Sequence, residues 1–284
     1  MENSYYILSD AEGKQKLVIS GEHVRIDEAP YYAGGERFKE WRMPRRTSKS
    51  TELNALLKSR SMSTVRFLLS IAIRMSSVTL RSAVVVLCIG RKPDCRIDIK
   101  YVWVGGESFT DSLRVPYTKV IIFEEYTDLF SSIPVHDIAL LKLRKRLRFT
   151  KKIQPIKLPM TGTLQNKQLM VVGRGIDETG RVSKYLKKAD VIAVSNEECV
   201  SSLPKEYHFL LKSYLKLLDV TNVCAKSPNN KSSVCHGDSG SPLVSGDTLV
   251  GLVSFGHDDC RVSRPAFYVN VATYVPWIRL HTGL

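Results

Sequence analysis

Beyond about Tyr101 the chain alternates short β-branched or aromatic runs with gaps rich in Gly, Pro, Asn and Asp. The runs fall at 101–104, 119–123, 138–143, 168–172, 191–194, 249–254 and 266–271. Apolar runs punctuated in this way read as strands separated by turns. Many short strands without intervening helical pattern predict a sandwich or barrel rather than alternating βα units. Residues 274–281 predict a terminal helix with Val275, Ile278 and Leu280 turned inward.

Between residues 33 and 87 the character changes. R-M-P-R-R-T-S-K-S-T-E at 42–52 reads as an exposed, poorly ordered segment. The stretch 53–87 reads as one or two amphipathic helices, unlike anything else in the chain, and no internal repeat is present.

A length of 284 residues allows one large all-β domain or two ordinary ones. Apolar residues at 43% and charged residues at 25% fit a globular chain with a real core. The net charge of +14 invites a polyanion reading, but fifteen basic and four acidic residues lie in 37–100 alone. A second basic run, R-K-R-L-R-F-T-K-K at 144–152, reads as a solvated loop. Neither carries an aromatic RNA-binding signature, zinc-finger spacing or basic heptads, so no nucleic-acid partner is expected.

The six cysteines form no C-x-x-C pair and no zinc spacing, so neither metal nor cofactor is expected. Their wide separation favours disulfides in an oxidising compartment, and sequence alone leaves fifteen pairings open. Residues 1–16 show no apolar signal-peptide core. Arg66, Arg74 and Arg81 interrupt the apolar stretch 62–90, leaving about nine uncharged residues where a membrane span needs roughly twenty.

The chemistry concentrates in C-H-G-D-S-G-S-P at 235–242. A serine hydroxyl attacks only when a base takes its proton and backbone donors receive the oxyanion. Gly237, two before Ser239, leaves the backbone free to aim its N–H groups. Alone, G-D-S-G also fits an ordinary glycine-rich turn. Around it stand Cys235, the strand V-G-L-V-S-F-G at 250–256 and Cys260. Upstream lie H-D-I-A-L-L-K-L at 136–143, Q-P-I-K-L-P at 154–159 and V-V-G-R-G at 171–175; the end reads P-A-F-Y-V-N-V…W-I.

Over about 101–284 these motifs resemble, in order and spacing, the trypsin/chymotrypsin family of serine endopeptidases. The resemblance implies an all-β fold of two antiparallel six-stranded β-barrels with a C-terminal helix, the N-terminal barrel being incomplete or distorted here. It implies Asp137 and Ser239 as catalytic residues and the Gly237 and Ser239 amides as the oxyanion hole. It places Ser233, Ser254, Phe255, Gly256 and Ala266 at the substrate cleft, and pairs Cys199 with Cys224 and Cys235 with Cys260. A neutral Ser233 at the pocket floor disfavours Lys or Arg and suits an apolar or aromatic side chain.

L-V-I-S-G-E-H-V-R-I-D-E-A-P-Y at 17–31 resembles the family's mature start. This implies a propeptide-like segment 1–17, a protease-like domain 18–284, and an ion pair between a freed Val18 amine and Asp238. Leu17 stands where the family usually carries Arg or Lys. The larger departure is R-S-A-V-V-V-L-C at 81–88. It matches the family's A-A-H-C at Cys88 but sets Leu87 in the histidine's place, and the usual upstream C-G-G strand is missing.

No other histidine is a convincing base. His136 adjoins Asp137, but neighbours along a strand face opposite ways. His236 lies beside the oxyanion turn, and His23, His208, His257 and His281 read as surface or capping residues. Three readings stand: an endopeptidase whose segment 33–87 is mis-joined at the transcript level, a non-catalytic homologue that binds partners, and a polyanion binder on the same scaffold. The expected partners are a protein or peptide substrate and an activating protease or inhibitor. By resemblance the protein is secreted and monomeric; Asn230-Lys231-Ser232 is a glycan acceptor sequence.

Overall fold

The computed structural model describes residues 101–108, 110–129, 133–160, 164, 167–257, 259–260, 262 and 264–284, with the backbone of 22–23, 33–35, 72–73 and 83–86. Val18, Leu87, Cys88 and Cys95, all of the segment 1–17 and most of 33–87 lie outside the described residues.

Strands β1 (Glu22–His23), β2 (Ala33–Gly35), β3 (Ala72–Ile73) and β4 (Ala83–Val86) come first. The first half continues with β5 (Tyr101–Val104), β6 (Leu113–Ile122), β7 (Thr127–Leu129), β8 (Ile133–Val135), β9 (Ala139–Leu143) and β10 (Pro155–Ile156). The second half holds β11 (Gln168–Gly173), β12 (Lys187–Val194), β13 (Asn222–Lys226), β14 (Pro242–Ser245), β15 (Thr248–Phe255) and β16 (Ala266–Asn270). Helices α1 (Asn196–Ser202), α2 (Lys205–Ser213) and α3 (Leu215–Thr221) stand between β12 and β13; α4 (Val271–Thr282) ends the chain.

The second half closes on itself. Strands β12, β11, β14, β15, β16 and β13 pair in that order, and the β12–β13 pairing completes a six-stranded barrel with β1 alongside β12. Closure removes the exposed edges that an open sheet leaves. The first half is an open sheet in the order β10-β3-β4-β9-β6-β5-β2. The expected closed C-terminal barrel, incomplete N-terminal sheet and terminal helix are all present.

Strand β9 shows how A-L-L-K-L serves both halves. Ala139, Leu141 and Leu143 join Val102, Val104 and Val115 in one core. Ile138 and Leu140, of opposite parity, pack instead with Leu252, Val269, Tyr274, Trp277 and Ile278. Period-two alternation thus fastens the first sheet to the barrel and to α4. Burial of each large side chain contributes about 1.5–3 kcal/mol. Gly283 at φ +75 closes α4 by donating its N–H to Arg279 O, which suits a residue without Cβ.

Three expectations are corrected. Residues 72–73 and 83–86 are strands, not helix: the A-V-V-V run of β4 pairs antiparallel with β9, where β-branched side chains fit. On α4, Leu280 is 78% exposed and Val275 half-buried; the inward face is Val271, Tyr274, Trp277 and Ile278. Helices α1 to α3 are additions. Tyr207, Leu211, Leu215 and Leu218 recur at helical spacing and cover the Cys199–Cys224 disulfide.

Candidate active site

Two glycines shape the turn that carries Ser239. Gly237 has φ +92 and Gly240 φ +83, a region that L side chains enter at a cost. Asp238 N donates to Cys235 O at 3.0 Å and Ser241 N to Asp238 O at 2.8 Å, winding the turn tightly. Gly240 N donates to Val253 O at 2.7 Å and anchors the turn on β15. The Cys235–Cys260 disulfide holds its other side. Among the described residues the amides of Gly237 and Ser239 donate to no acceptor. Two free N–H donors beside one hydroxyl are what a developing oxyanion requires.

Behind the turn Asp238 is 1% exposed. Its Oδ1 accepts from Gly175 N at 2.7 Å and its Oδ2 from Cys235 N at 3.0 Å. A Cβ on Gly173 would lie 2.2 Å from Asp238 Oδ1, and one on Gly175 2.6 Å from Oδ2. The two glycines of V-V-G-R-G therefore hollow out the carboxyl's seat. Burial raises the Asp238 pKa to about 7, while the amides of Cys235 and Gly175 and the charge of Lys187 pull the other way. Gly173→Ala is expected to cost roughly 2–4 kcal/mol, because the carboxyl must leave its amides or the strand must shift. Urea unfolding measures this; a change under 0.5 kcal/mol, on the order of a neutral surface substitution, would contradict the packing.

Asp137 sits at the junction of the two halves, 2% exposed. Ser254 Oγ donates to its Oδ2 at 2.7 Å. The β15–β16 register slips between Val253 and Phe255, and such a bulge re-aims the side chain within it. Because Val253 holds Gly240 N, one short path links the Ser239 turn, Val253, Ser254 and Asp137. His136 faces away. Its Nδ1 lies 3.0 Å from Tyr274 Oη and its ring stacks on Phe123 at 5.2 Å. His136 has φ +54, and this left-handed kink sends the two neighbouring side chains to different partners.

The cleft residues named from sequence come together in part. Gly256 is exposed and lies against Ala266, since a Cβ on it would sit 3.2 Å from Ala266 Cβ. Phe255 stacks on Phe267 at 4.4 Å. Ser233 is half-buried and donates to Val234 O at 3.0 Å, so it places no charge there. Cys199 bonds to Cys224 and Cys235 to Cys260, the pairs that the resemblance implied.

No hydrogen bond joins a histidine to Ser239 Oγ among the described residues. His257 lies between Ser202 Oγ and Arg264, at 3.0 and 2.8 Å. His208 Nε2 is 2.7 Å from Leu203 O, and His281 pairs with Glu124 at 3.5 Å. His236 is half-buried within the turn, its carbonyl accepting from Ile176 N at 2.8 Å. Strand β4 ends at Val86, opposite Ala139. Sequence reasoning passed over Gly173, Gly175 and Tyr274. Nothing in the run V-V-G-R-G itself shows that its glycines must make room for a carboxylate.

Comparison with known proteins places these features. The trypsin family model matches residues 90–278. Kallikrein-15 of Saguinus oedipus is 33% identical over 151 residues, 51% of this chain and 57% of that protein. Trypsin 5G1 of Aedes aegypti is 36% identical over 154 residues, 52% of this chain and 54% of that protein. Serine protease ea of Drosophila melanogaster is 31% identical over 201 residues, 66% and 48% respectively. The chain thus spans about half the length of these curated relatives. Among solved structures, neuropsin, a serine protease expressed in the limbic system of mouse brain, superposes with TM-score 0.68 at 19% identity, over 93% of this chain and 99% of that one. HL collagenase gives TM-score 0.67 at 20% identity, over 94% and 99%.

Proposed function

Because the chain belongs to the trypsin family of serine peptidases, we propose that its site is built for peptide-bond hydrolysis through an acyl group on Ser239, and that without a general base only the slow turnover supported by the oxyanion donors and substrate binding remains. In this reading Ser239 is the nucleophile, and the Gly237 and Ser239 amides receive the oxyanion. Asp137, oriented by Ser254, is the acidic member of a triad whose histidine position holds Leu87. Gly256, Ala266 and the neutral Ser233 favour an apolar or aromatic residue before the scissile bond. The observation that carries the reading is the pair of unengaged amides beside Ser239, with no histidine bonded to its hydroxyl.

Triad members act as a unit, so once one is missing the loss of another adds little. Ser239→Ala in this chain is therefore expected to change kcat/KM on a peptide anilide with phenylalanine before the scissile bond by less than about tenfold. A drop near 10⁶ would mean that a base reaches Ser239 after all.

A binding role is the second reading, favoured by the engagement of His136, His208, His257 and His281 elsewhere. It requires a peptide inhibitor of the apolar class to bind at the same affinity in the chain and in Ser239→Ala, with turnover in neither. Secretion and activation by cleavage before Val18 complete the proposal; the two disulfides support an oxidising compartment. Among the described residues no helix is long and apolar enough to cross a membrane.

A further inference from the structure

From residue 138 to residue 176 the chain contains no acidic residue. The same stretch carries Lys142, Arg144, Lys145, Arg146, Arg148, Lys151, Lys152, Lys157, Lys167 and Arg174. Two of these are accounted for: Lys157 pairs with Asp247 at 2.6 Å, and Arg174 is buried and reaches Glu107 O at 3.4 Å. The six from Arg144 to Lys152 are exposed, and none forms an ion pair with any described residue.

The loop that bears them is pinned. Leu147 and Ile153 pack against the first-sheet core of Val102, Val104 and Leu141. Thr150 and Ile153 exchange backbone hydrogen bonds at 3.0 and 3.3 Å, and Arg144 N donates to Pro116 O at 2.8 Å. The cations therefore stand outward from a fixed turn. The patch extends onto the sheet: Lys119 of β6 and Lys142 of β9 are both exposed and lie directly opposite each other. Like charges so placed repel, and neither lysine forms an ion pair with a described residue.

We propose that this face, formed by Lys119, Lys142 and the 144–152 loop, is a docking site for a linear sulfated polysaccharide. Charge complementarity names a polyanion, since a row of fixed cations gains by releasing the counterions of a highly charged chain. Two observations favour polysaccharide over nucleic acid. Two disulfides belong to an oxidising compartment, where sulfated polysaccharides are the abundant linear polyanions. Single-stranded nucleic acid is held on successive exposed aromatic rings, whereas the loop offers one, Phe149, and Leu147 is turned inward. None of these residues belongs to the Ser239 site described above, and binding is read without turnover.

The test measures binding of the full chain to a heparin octasaccharide and to a single-stranded oligonucleotide of equal charge, across a series of NaCl concentrations. Two variants remove equal charge: Arg146→Gln/Arg148→Gln/Lys151→Gln on the loop, and Lys205→Gln/Lys212→Gln/Lys216→Gln on the exposed faces of α2 and α3. The loop variant is expected to bind heparin at least about tenfold more weakly at 0.15 M salt, its log–log salt slope falling by about three. The helix variant stays within about threefold of the parent, and the oligonucleotide binds at least about tenfold more weakly than heparin. Equal losses in both variants, or in neither, would overturn the site. Oligonucleotide binding as tight as heparin would overturn the polysaccharide assignment and give the surface to nucleic acid.

Discussion

Leu87→His is expected to raise kcat/KM on a peptide with phenylalanine before the scissile bond by at least about 10³-fold. Removing the histidine of an intact triad costs about 10⁶, which bounds what its return can restore. The partners such a residue needs are present. Asp137 is buried, with Oδ2 held by Ser254 Oγ at 2.7 Å, so an imidazole would meet an oriented carboxylate. Val86, the last residue of β4, pairs with Ala139, two residues after Asp137. The restored activity is expected to rise with pH through roughly 6.5, where a histidine loses its proton and becomes a base. Adding Ser239→Ala to Leu87→His should abolish it. A folded Leu87→His protein no faster than the parent at pH 8 would place the missing base elsewhere.

The second large effect is on stability. A carboxyl whose pKa is about 7 in the fold, against an ordinary 3.8, binds its proton more tightly when folded. Its contribution is therefore full below about pH 4, declines as pH rises to about 7, and is flat beyond. A displacement of this size corresponds to about 4 kcal/mol lost across that window. Asp238→Asn has no proton to lose and should flatten the slope. The variant leaves an amide N–H₂ facing the Gly175 or Cys235 N–H, so below pH 4 it should be the less stable of the two by about 1–3 kcal/mol. Urea midpoints of both proteins at pH 4, 6 and 8 measure the difference; parallel profiles would contradict the environment described for Asp238. An ammonium group delivered beside Asp238, as the resemblance implies for Val18, would hold the carboxylate charged. The loss between pH 4 and 7 would then vanish in chain cleaved before Val18.

Much of the barrel was legible because its strands announce themselves twice, by β-branched composition and by turns at their ends. The predicted run 101–104 coincides with β5, and those at 138–143, 168–172 and 266–271 differ from β9, β11 and β16 by one residue at an end. Strand β13 was missed because N-V-C-A-K is short and follows a helix rather than a turn. Helix α1 had a readable start: Ser195 Oγ accepts from Glu198 N at 3.2 Å, the S-x-x-E pattern of a capping box. The strands within 33–87 were hidden because A-V-V-V alone cannot be told from a buried helical segment. Only pairing with β9 decides it.

At the site, residue types were legible and relations were not. Ser254 was named for the cleft, but its bond to Asp137 depends on a register slip that no spacing reveals. His136 was expected to turn away, and its bond to Tyr274 joins residues 138 positions apart. The seat of Asp238 depends on two glycines from a strand more than sixty residues upstream. Such contacts come from barrel closure, which brings β11 beside β14.

The most direct test is a time course with a fluorophosphonate, which phosphonylates a serine only where base and oxyanion donors act together. In the parent chain no appreciable labelling of Ser239 is expected within an hour, and in Leu87→His stoichiometric labelling is expected within minutes. Stoichiometric labelling of the parent within minutes, lost in Ser239→Ala, would contradict it.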